Sequence, residues 1–521
     1  MVSSRILAIG TVLILASVSI LSYYYFFIWS KENWPTSTPE EQNVNPDKLD
    51  EMTEWVENSG AQIDSVLIIR HGHLIYERYF NPNYGVNSIH ILHSVSKSFT
   101  SAIIGVAIDK GLISLDDKVV SFFPDRAIEN LDSRKRAMTV EHLLTMTAGF
   151  QWDEWSWSYD DPRNDLNQMR SAPDPYKFLL DKPMAAQPGE QWAYNTGCTD
   201  LLTEILRRAT GSNILDYGRE YLFDPLDIDD VTWYKDDRGN YLGGSGLALT
   251  PRDMAKFGYL FLNNGTWNGE EVLNSNWVAR STSPHIRGTG IELGLYKGQG
   301  YGYLWWSLPE IGVYYAGGRH EQSIYVVQDL DLIVVMTGSV PDNLSGIFPV
   351  DSYLLLRYIL PACGYNDTRM LECTNNNLTL NYPAGMYLRY AGNASFHQII
   401  GIYSPEILIL NWGSLQEAEA ELNTDETLMI FEGLINWVSS IEGSDISVGD
   451  AITIKNNDHN AIIQSFAIEV SGVSFEGINC YWFCAETSRH FILTYIRPEG
   501  SLGQKGIRDG LQGYMNAVMC H

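Results

Sequence analysis

The tetrapeptide Ser94-Val95-Ser96-Lys97 places a hydroxyl and an amine at a spacing that can do chemistry. Side chains three residues apart lie on one face of a helix, so the Lys97 amine can touch the Ser94 hydroxyl. Serine is inert at neutral pH unless a base accepts its proton. The pair therefore indicates a nucleophile and its base. The competing interpretation of Ser94 is a helix cap, since an isolated SxxK sequence often occurs by chance.

Two strands and an apolar helix must position this pair. The strands are predicted over 65–70 and 73–79 and meet at His71-Gly72. The helix begins at the tetrapeptide and stays apolar as far as Gly111, which suits a helix C-terminus. Lys97 lies in its first turn, where burial and the helix dipole both disfavour an ammonium ion. We therefore expect a lowered pKa for Lys97 and an amine that can accept a proton.

The remaining pattern up to about residue 360 predicts a mixed α+β domain. A helix-like stretch at 48–59 precedes the first strands, and helices and loops dominate to about Asn276. Strands return at 314–315, 323–327 and 332–336. Strands from the two ends of the domain must then share one sheet, with the helices packed against it.

The sequence around SVSK carries a series of further motifs. In chain order they are HSVSKSFTSAIIGVAIDKGLISLDDKV from His93, TVEHLLTMTAGFQW from Thr139, PGEQWAYNTG from Pro188, GGSGLALTPRDMAKFGYLFLNNGTWNG from Gly243 and YGYLWW from Tyr301. In order and spacing they resemble the serine hydrolases related to class C β-lactamases and penicillin-binding proteins, closest in style to esterases and nylon-oligomer hydrolases. The resemblance implies an antiparallel sheet flanked by helices, with a helical subdomain.

This resemblance implies a role for several residues. Ser94 would attack a carbonyl and form an acyl-enzyme, while Lys97 and Tyr194 would move the proton, Tyr194 as a phenolate or as a relay. The developing oxyanion would be held by the backbone amides of Ser94 and Arg319, and Gly318 would let the backbone come close to the ligand.

Two departures from the family pattern bear on the substrate. The second motif is usually Tyr-x-Asn, but Thr196 stands in the last position, so its hydroxyl, or alternatively Asn195, is expected to bind substrate. The third motif usually begins with Lys or His, but here it is Ala316-Gly317-Gly318. The missing cation counts against β-lactamase and DD-carboxypeptidase activity and favours an ester or small amide. Arg319 or His320 could restore the charge, although neither occupies the motif position.

Tryptophans cluster around these motifs, and we expect several of them to belong to the core. Those between Trp152 and Trp157 lie in a polar, Asp-rich loop where buried partners are scarce. They predict an aromatic-walled pocket for the acyl or amide group. The clustered residues are Trp152, Trp155, Trp157, Trp192, Trp305 and Trp306.

The N-terminus predicts a membrane anchor. Residues 6–29 contain no charged side chain. As a helix, this segment is long enough to cross a hydrocarbon core of about 30 Å. The segment ends in aromatic residues, whereas a cleaved signal peptide has a shorter apolar region that ends in small residues. Arg5 before it and an acidic linker after it put the bulk of the chain outside the cytoplasm. Secretion after signal cleavage is the alternative.

Composition excludes some partners. With 63 acidic and 35 basic residues among 521, the formal charge of -28 repels phosphate backbones, so we expect no nucleic acid partner. Neither a CxxC pair nor an HExxH sequence is present, and we expect no metal or cofactor. Cys198 is a conceivable thiol nucleophile, but a small buried residue is the preferred interpretation.

Beyond Cys363 the sequence becomes polar and then predicts a smaller α+β domain. Strands are expected at 398–402, 407–412, 461–470 and 491–496, and helices at 427–439 and 501–518. This part faintly resembles PsbP-like domains and is expected to bind rather than to catalyse. The predicted regions are a cytoplasmic tail (1–5), an anchor (6–29), a linker (30–45), the hydrolase-like domain (46–362), a second linker (363–380) and the C-terminal domain (381–521).

Together these features predict a membrane-anchored serine hydrolase that acts on a small-molecule or peptide-like ester or amide. An inactive surface module that binds a ligand in the old cleft is the first alternative. A DD-peptidase or β-lactamase is the second.

Overall fold

The computed structural model describes residues 34–58, 60–287, 299–339 and 350–365, and a set of strands between 370 and 498. The predicted anchor at 6–29 lies outside the described residues, as do the predicted C-terminal helices at 427–439 and 501–518. None of the helices within the described ranges has the length and apolar character to cross a membrane.

Helices form most of the first domain between its strands. Short 3₁₀ turns connect several of them, including His93–Val95 and Arg319–Glu321. In chain order the α-helices are α1 (Pro46–Asn58), α2 (Ser96–Asp109), α3 (Ser133–Ala137), α4 (Val140–Leu144), α5 (Asp165–Ser171), α6 (Pro175–Asp181), α7 (Thr196–Thr210), α8 (Ile214–Gly218), α9 (Pro251–Leu262), α10 (Ser275–Thr282), α11 (Val350–Leu354) and α12 (Leu360–Ala362).

The main sheet is antiparallel and joins both ends of this domain, as the sequence predicts. Its strands are β1 (Ile63–Arg70), β2 (His73–Tyr79), β8 (Ile286–Arg287), β9 (Gly300–Tyr301), β10 (Trp306–Leu308), β11 (Val313–Gly318), β12 (Gln322–Val327) and β13 (Leu332–Gly338), in the order β2-β1-β13-β12-β11-β10-β9-β8. Smaller pairings involve β3 (His90–Ile91), β4 (Thr232–Trp233), β5 (Leu247–Leu249), β6 (Thr266–Trp267) and β7 (Glu270–Glu271).

Both faces of the sheet are covered. Along β1 the side chains alternate, so that Leu67 and Ile69 join one apolar cluster while Val66 and Ile68 join another. The first cluster contains α2 and α9, and the second contains α1 and the chain around Tyr353. The sequence of a strand that is covered on both faces is a nearly continuous apolar run, and residues 65–70 show this pattern.

Helix α2 runs through the middle of the domain. Every residue from Ser96 to Ala107 is buried, and the Phe99 ring stacks on Phe257 with centroids 3.7 Å apart. The helix begins two residues later than the sequence suggests, because His93 has a φ of 47° and the chain around Ser94 forms a 3₁₀ turn. Ser94 therefore lies just before the helix, and Lys97 lies in its first turn.

The described part of the C-terminal region consists of antiparallel strands. Their bounds are β14 (Met370–Asn375), β15 (Leu378–Pro383), β16 (Tyr387–Gly392), β17 (Phe396–Tyr403), β18 (Glu406–Ser414), β19 (Ser444–Asn456), β20 (His459–Val470), β21 (Val473–Cys484) and β22 (Arg489–Pro498). One sheet has the order β16-β17-β18-β22-β21-β20-β19, and β14 pairs with β15. Four of these strands, β17, β18, β20 and β22, contain the four strands predicted there, and the others have no counterpart in the prediction.

Candidate active site

Ser94 and Lys97 touch, as their spacing predicts. Lys97 Nζ lies 3.0 Å from Ser94 Oγ and donates a hydrogen bond of 2.8 Å to the carbonyl oxygen of Gly244. The Lys97 side chain is only 2% exposed, whereas Ser94 is half-buried and can meet a ligand. The pair thus has the geometry of a nucleophile in contact with its base.

Burial lowers the pKa of Lys97 to about 8. The buried carboxylates of Glu154 and Asp200 act in the opposite direction and raise it, while the Arg170 guanidinium adds to the lowering. The expected effect of burial on this amine is therefore present, and nearby negative charge partly offsets it.

Tyr194 completes a contact triangle with these two residues. It stands just before α7, is 6% exposed, and interacts with the Ser94 side chain, which acts to lower the pKa of the phenol. Lys97 Nζ lies 4.8 Å from the centroid of its ring. Burial raises the pKa of Tyr194 well above its ordinary value, with Glu154 adding to the rise. Tyr194 is thus held as a neutral phenol, which favours the relay interpretation over the phenolate.

The two residues after Tyr194 are used inside the protein. Asn195 is the N-cap of α7, and its Oδ1 accepts a hydrogen bond of 3.1 Å from the Cys198 amide. Thr196 donates to Glu154 twice, from its amide at 2.7 Å and from its hydroxyl at 2.5 Å. The first N–H groups of a helix need acceptors, and here the Asn195 side chain accepts from Cys198 while Glu154 accepts from Thr196. A role of Asn195 or Thr196 in substrate binding stays a prediction from the sequence.

The end of β11 lies against the nucleophile turn. A Cβ on Gly318 would come 2.5 Å from the Leu92 carbonyl oxygen and 3.1 Å from the Ser94 amide nitrogen, so only glycine allows this approach. Ala316 is 1% exposed and offers no cation. The Arg319 guanidinium instead lies over the Tyr159 ring, 4.6 Å from its centroid. The end of β11 thus lies beside the nucleophile turn, and the oxyanion role of the Arg319 amide stays a prediction.

An aromatic wall, which we define as Trp155, Trp192, Tyr194 and Trp306, borders the nucleophile. Tyr194 stacks on Trp306 with centroids 5.9 Å apart, and Trp155 meets its edge at 5.2 Å. Trp155 is 42% exposed, so one side of the wall faces solvent. Trp305, by contrast, is fully buried among core rings and is not part of the wall.

Two buried carboxylates of the site were missed by sequence reasoning. Glu154 lies 2% exposed in the loop between α4 and α5, and Asp200 lies 4% exposed on α7. Asp200 accepts a hydrogen bond of 2.9 Å from the amide of Gly244, the residue whose carbonyl receives Lys97. Burial raises the pKa of Asp200 to about 6. Two features of the sequence could have pointed to these carboxylates. One is the Gly243-Gly244 pair, and the other is the position of the acidic residue Glu154 among tryptophans.

Cys198 belongs to the core, as preferred from the sequence. Its side chain is fully buried, and burial raises the pKa of the thiol. A thiol that stays protonated is a poor nucleophile, so Ser94 is the better candidate.

Comparison with known proteins agrees with this arrangement. The family model described as Beta-lactamase matches residues 52–344, more than half of the chain. A 6-aminohexanoate-dimer hydrolase of Paenarthrobacter ureafaciens is 27% identical over 327 residues, 59% of this chain and 80% of the relative. A lovastatin esterase of Penicillium rubens is 25% identical over 193 residues, 33% of this chain and 46% of the relative.

A solved structure shares the fold. A protein from Bacillus anthracis, provisionally assigned as a 6-aminohexanoate-dimer hydrolase, aligns with a TM-score of 0.52 and 23% identity over 63% of this chain and 87% of its own. The family match ends before the C-terminal strands and does not bear on their faint PsbP-like resemblance. The SxxK pair is in contact, the sheet is built from both ends of the domain, and the family model covers more than half of the chain. This chain therefore belongs to the beta-lactamase family of penicillin-binding-protein-like serine hydrolases.

Proposed function

We propose that this protein is a membrane-anchored serine hydrolase that cleaves an ester or amide through an acyl-enzyme on Ser94. Lys97 is the base for the nucleophile and Tyr194 relays the proton. The observation that carries the proposal is the contact between Ser94 Oγ and Lys97 Nζ at 3.0 Å, made by an amine that burial keeps partly neutral.

Acylation begins when Ser94 attacks the carbonyl carbon. The Oγ–C bond forms while the proton passes from Oγ to the neutral amine of Lys97. Negative charge develops on the carbonyl oxygen, and the amides of Ser94 and Arg319 hold it in the proposal. Placement of Gly318 against the Ser94 amide supports this part.

Collapse of the tetrahedral intermediate releases the leaving group. The proton on Lys97 reaches the departing oxygen or nitrogen through the Tyr194 hydroxyl, since Tyr194 interacts with the Ser94 side chain. The product leaves as a neutral alcohol or amine. Water then attacks the acyl-enzyme by the reverse sequence of proton transfers, which regenerates Ser94 and frees the carboxylic acid.

The substrate class follows from what lines the site. An aromatic wall beside the nucleophile suits an apolar acyl or amine portion. Ala316 leaves the third motif without the cation that helps penicillin-recognising relatives bind a carboxylate. The amide and ester substrates in the names of the two relatives described above agree with this class. We therefore place ester or small amide hydrolysis ahead of β-lactamase or DD-peptidase activity.

Covalent labelling tests the proposal. The purified protein is treated with a fluorophosphonate, and the site of any adduct is located by peptide mass spectrometry. We expect one adduct on Ser94 and none in the Ser94→Ala variant. A folded wild-type protein that takes up neither fluorophosphonate nor labelled penicillin would instead be an inactive binding module.

A substrate panel then separates the classes of hydrolase. The expected result is turnover of p-nitrophenyl esters that exceeds turnover of nitrocefin and of D-Ala-D-Ala peptides. Faster turnover of either of the latter would move the protein to the penicillin-recognising enzymes.

A further inference from the structure

Glu154 is a buried carboxylate with an unusual number of partners. Its Oε1 accepts hydrogen bonds from the Tyr159 hydroxyl at 3.1 Å and the Thr196 hydroxyl at 2.5 Å. Its Oε2 accepts from the Trp152 indole at 3.1 Å and the Thr196 amide at 2.7 Å. Four donors on a 2% exposed carboxylate stabilise the ionised form, which would otherwise be costly to bury.

These hydrogen bonds connect separate parts of the site. Thr196 is the first residue of α7 and stands two positions after Tyr194, so Glu154 fixes the start of this helix. A carboxylate also interacts favourably with the positive end of a helix dipole. Tyr159 lies under the Arg319 guanidinium, which follows the third motif. Glu154 thus connects the second motif, through Thr196, with the residue after the third motif, through Tyr159.

Glu154 also acts on the reacting groups through its charge. It raises the pKa of Lys97 and of Tyr194. The other charged groups that act on Lys97 are Asp200, which also raises its pKa, and Arg170, which lowers it. Asp200 is connected to Lys97 through Gly244, whose amide donates to Asp200 and whose carbonyl oxygen accepts from Lys97.

We propose that Glu154 is a positioning residue of this site, which holds Tyr194 in place and stabilises the ammonium ion that Lys97 becomes when Ser94 gives up its proton. The proposal rests on the acyl-enzyme mechanism given above. It adds no reactant: the proton moves from Ser94 Oγ to Lys97 Nζ, the Oγ–C bond forms as the π pair of the carbonyl moves to its oxygen, and Glu154 takes no part in the transfer.

Glu154→Gln removes the charge with little change in hydrogen bonding. The amide oxygen can take the place of Oε2 and accept from the Trp152 and Thr196 N–H groups. The amide NH₂ can take the place of Oε1, because the hydroxyls of Tyr159 and Thr196 can rotate to accept. The variant is therefore expected to fold, which thermal unfolding checks.

The measurement is the second-order rate of Ser94 labelling by a fluorophosphonate as a function of pH. Since Glu154 raises the pKa of Lys97, its loss should move the acidic limb of the profile to lower pH. The plateau should fall about tenfold, because the ammonium ion loses a charged partner. A purely structural role would scale the rate equally at every pH and leave the limb in place.

Three further variants separate position from charge. Thr196→Val keeps the Glu154 charge but removes one hydroxyl bond, so the plateau should fall about tenfold with the limb unmoved. Thr196→Ser should restore the rate to within about twofold, since it retains the hydroxyl. Glu129→Gln makes the same chemical change at a side chain that is 75% exposed and should match wild type.

The outcomes are distinct. A wild-type protein that does not label at Ser94 would overturn the proposed function. Wild-type labelling together with a folded Glu154→Gln variant of unchanged pH profile would overturn only the role of Glu154. If Glu154→Gln did not fold, Thr196→Val would decide, and a rate equal to wild type would count against positioning.

Discussion

At the residue scale, the pKa of Lys97 is set by opposing influences. Burial disfavours its ammonium form, and Glu154 and Asp200 favour it, which leaves the pKa at about 8. At neutral pH roughly one molecule in ten then carries the neutral amine. A weaker influence from the carboxylates would give more neutral lysine but a poorer base, since basicity falls with the pKa.

The Tyr194 hydroxyl can be tested apart from its ring. Tyr194→Phe keeps the stack on Trp306 but removes the hydroxyl that interacts with the Ser94 side chain. We expect the rate of Ser94 acylation to fall by about 10²-fold or more, measured with a p-nitrophenyl ester, and the melting temperature to stay close to wild type. Tyr217→Phe is the matched control, because this hydroxyl is buried without a hydrogen-bond partner in the described part of the chain. Equal losses in both variants would contradict the relay role.

The aromatic wall predicts a binding effect. Trp155→Ala removes an exposed ring that meets the edge of Tyr194 and should raise KM for an apolar p-nitrophenyl ester by about fivefold to tenfold, with a smaller change in kcat. Tyr234→Ala alters an aromatic side chain that is 45% exposed and should have no such effect. Unchanged kinetics with every ester tested would show that Trp155 does not line the pocket.

At the element scale, the site forms where α2, the N-terminus of α7 and the end of β11 meet. Close contacts at two glycines fix these elements relative to one another. A Cβ on Gly244, in the loop before β5, would come 2.6 Å from the Thr196 side chain of α7 and 3.4 Å from Lys97 Nζ of α2, and one on Gly318 would come 2.5 Å from the Leu92 carbonyl oxygen. The loop can therefore lie against α2 and α7, and β11 against the nucleophile turn, only because both positions are glycine.

Gly318→Ala tests the contact between β11 and the nucleophile turn. The added Cβ must displace backbone, so we expect the free energy of unfolding to fall by about 1–3 kcal/mol. The acylation rate should fall by about 10²-fold, as when one oxyanion donor is displaced. Gly85→Ala is the matched control, since no atom lies within 4 Å of its added Cβ. Wild-type kinetics in Gly318→Ala would contradict the placement of the oxyanion amides.

The parts that sequence could predict are those set by local spacing or by a run of motifs. Ser94 and Lys97 are three residues apart, and β1 and β13 are apolar runs of strand length. Glu154 could not be found in this way, because its partner Thr196 is 42 residues away and only folding brings them together. The same holds for Asp200 and Gly244, which are 44 residues apart.

At the scale of the whole molecule, the described hydrolase domain is covered on both faces of its sheet, and the site opens at one end of β11. The family match accounts for residues 52–344. The C-terminal strands follow this region and have no assigned role in the proposed chemistry. The proposed membrane attachment is inferred from the apolar sequence at 6–29.

Membrane attachment is tested by fractionation. The full chain should sediment with membranes and resist extraction by alkaline carbonate, because about 20 apolar residues insert stably into a bilayer. Deletion of residues 1–30 should release the protein into the soluble fraction. If the full chain is found soluble, N-terminal sequencing distinguishes a cleaved signal peptide, whose mature N-terminus follows the apolar segment, from an intact chain that does not insert.

In the proposed mechanism a neutral, buried Lys97 activates Ser94. The most direct measurement is the rate of Ser94 labelling by a fluorophosphonate between pH 6 and 10, in wild type and in Lys97→Met. Because Lys97 must lose its proton to act as the base, the wild-type rate should rise with pH through about 8 and then level off. Lys97→Met should be slower by about 10³-fold. A wild-type rate independent of pH across this range, or a Lys97→Met variant that labels as fast as wild type, would contradict the mechanism.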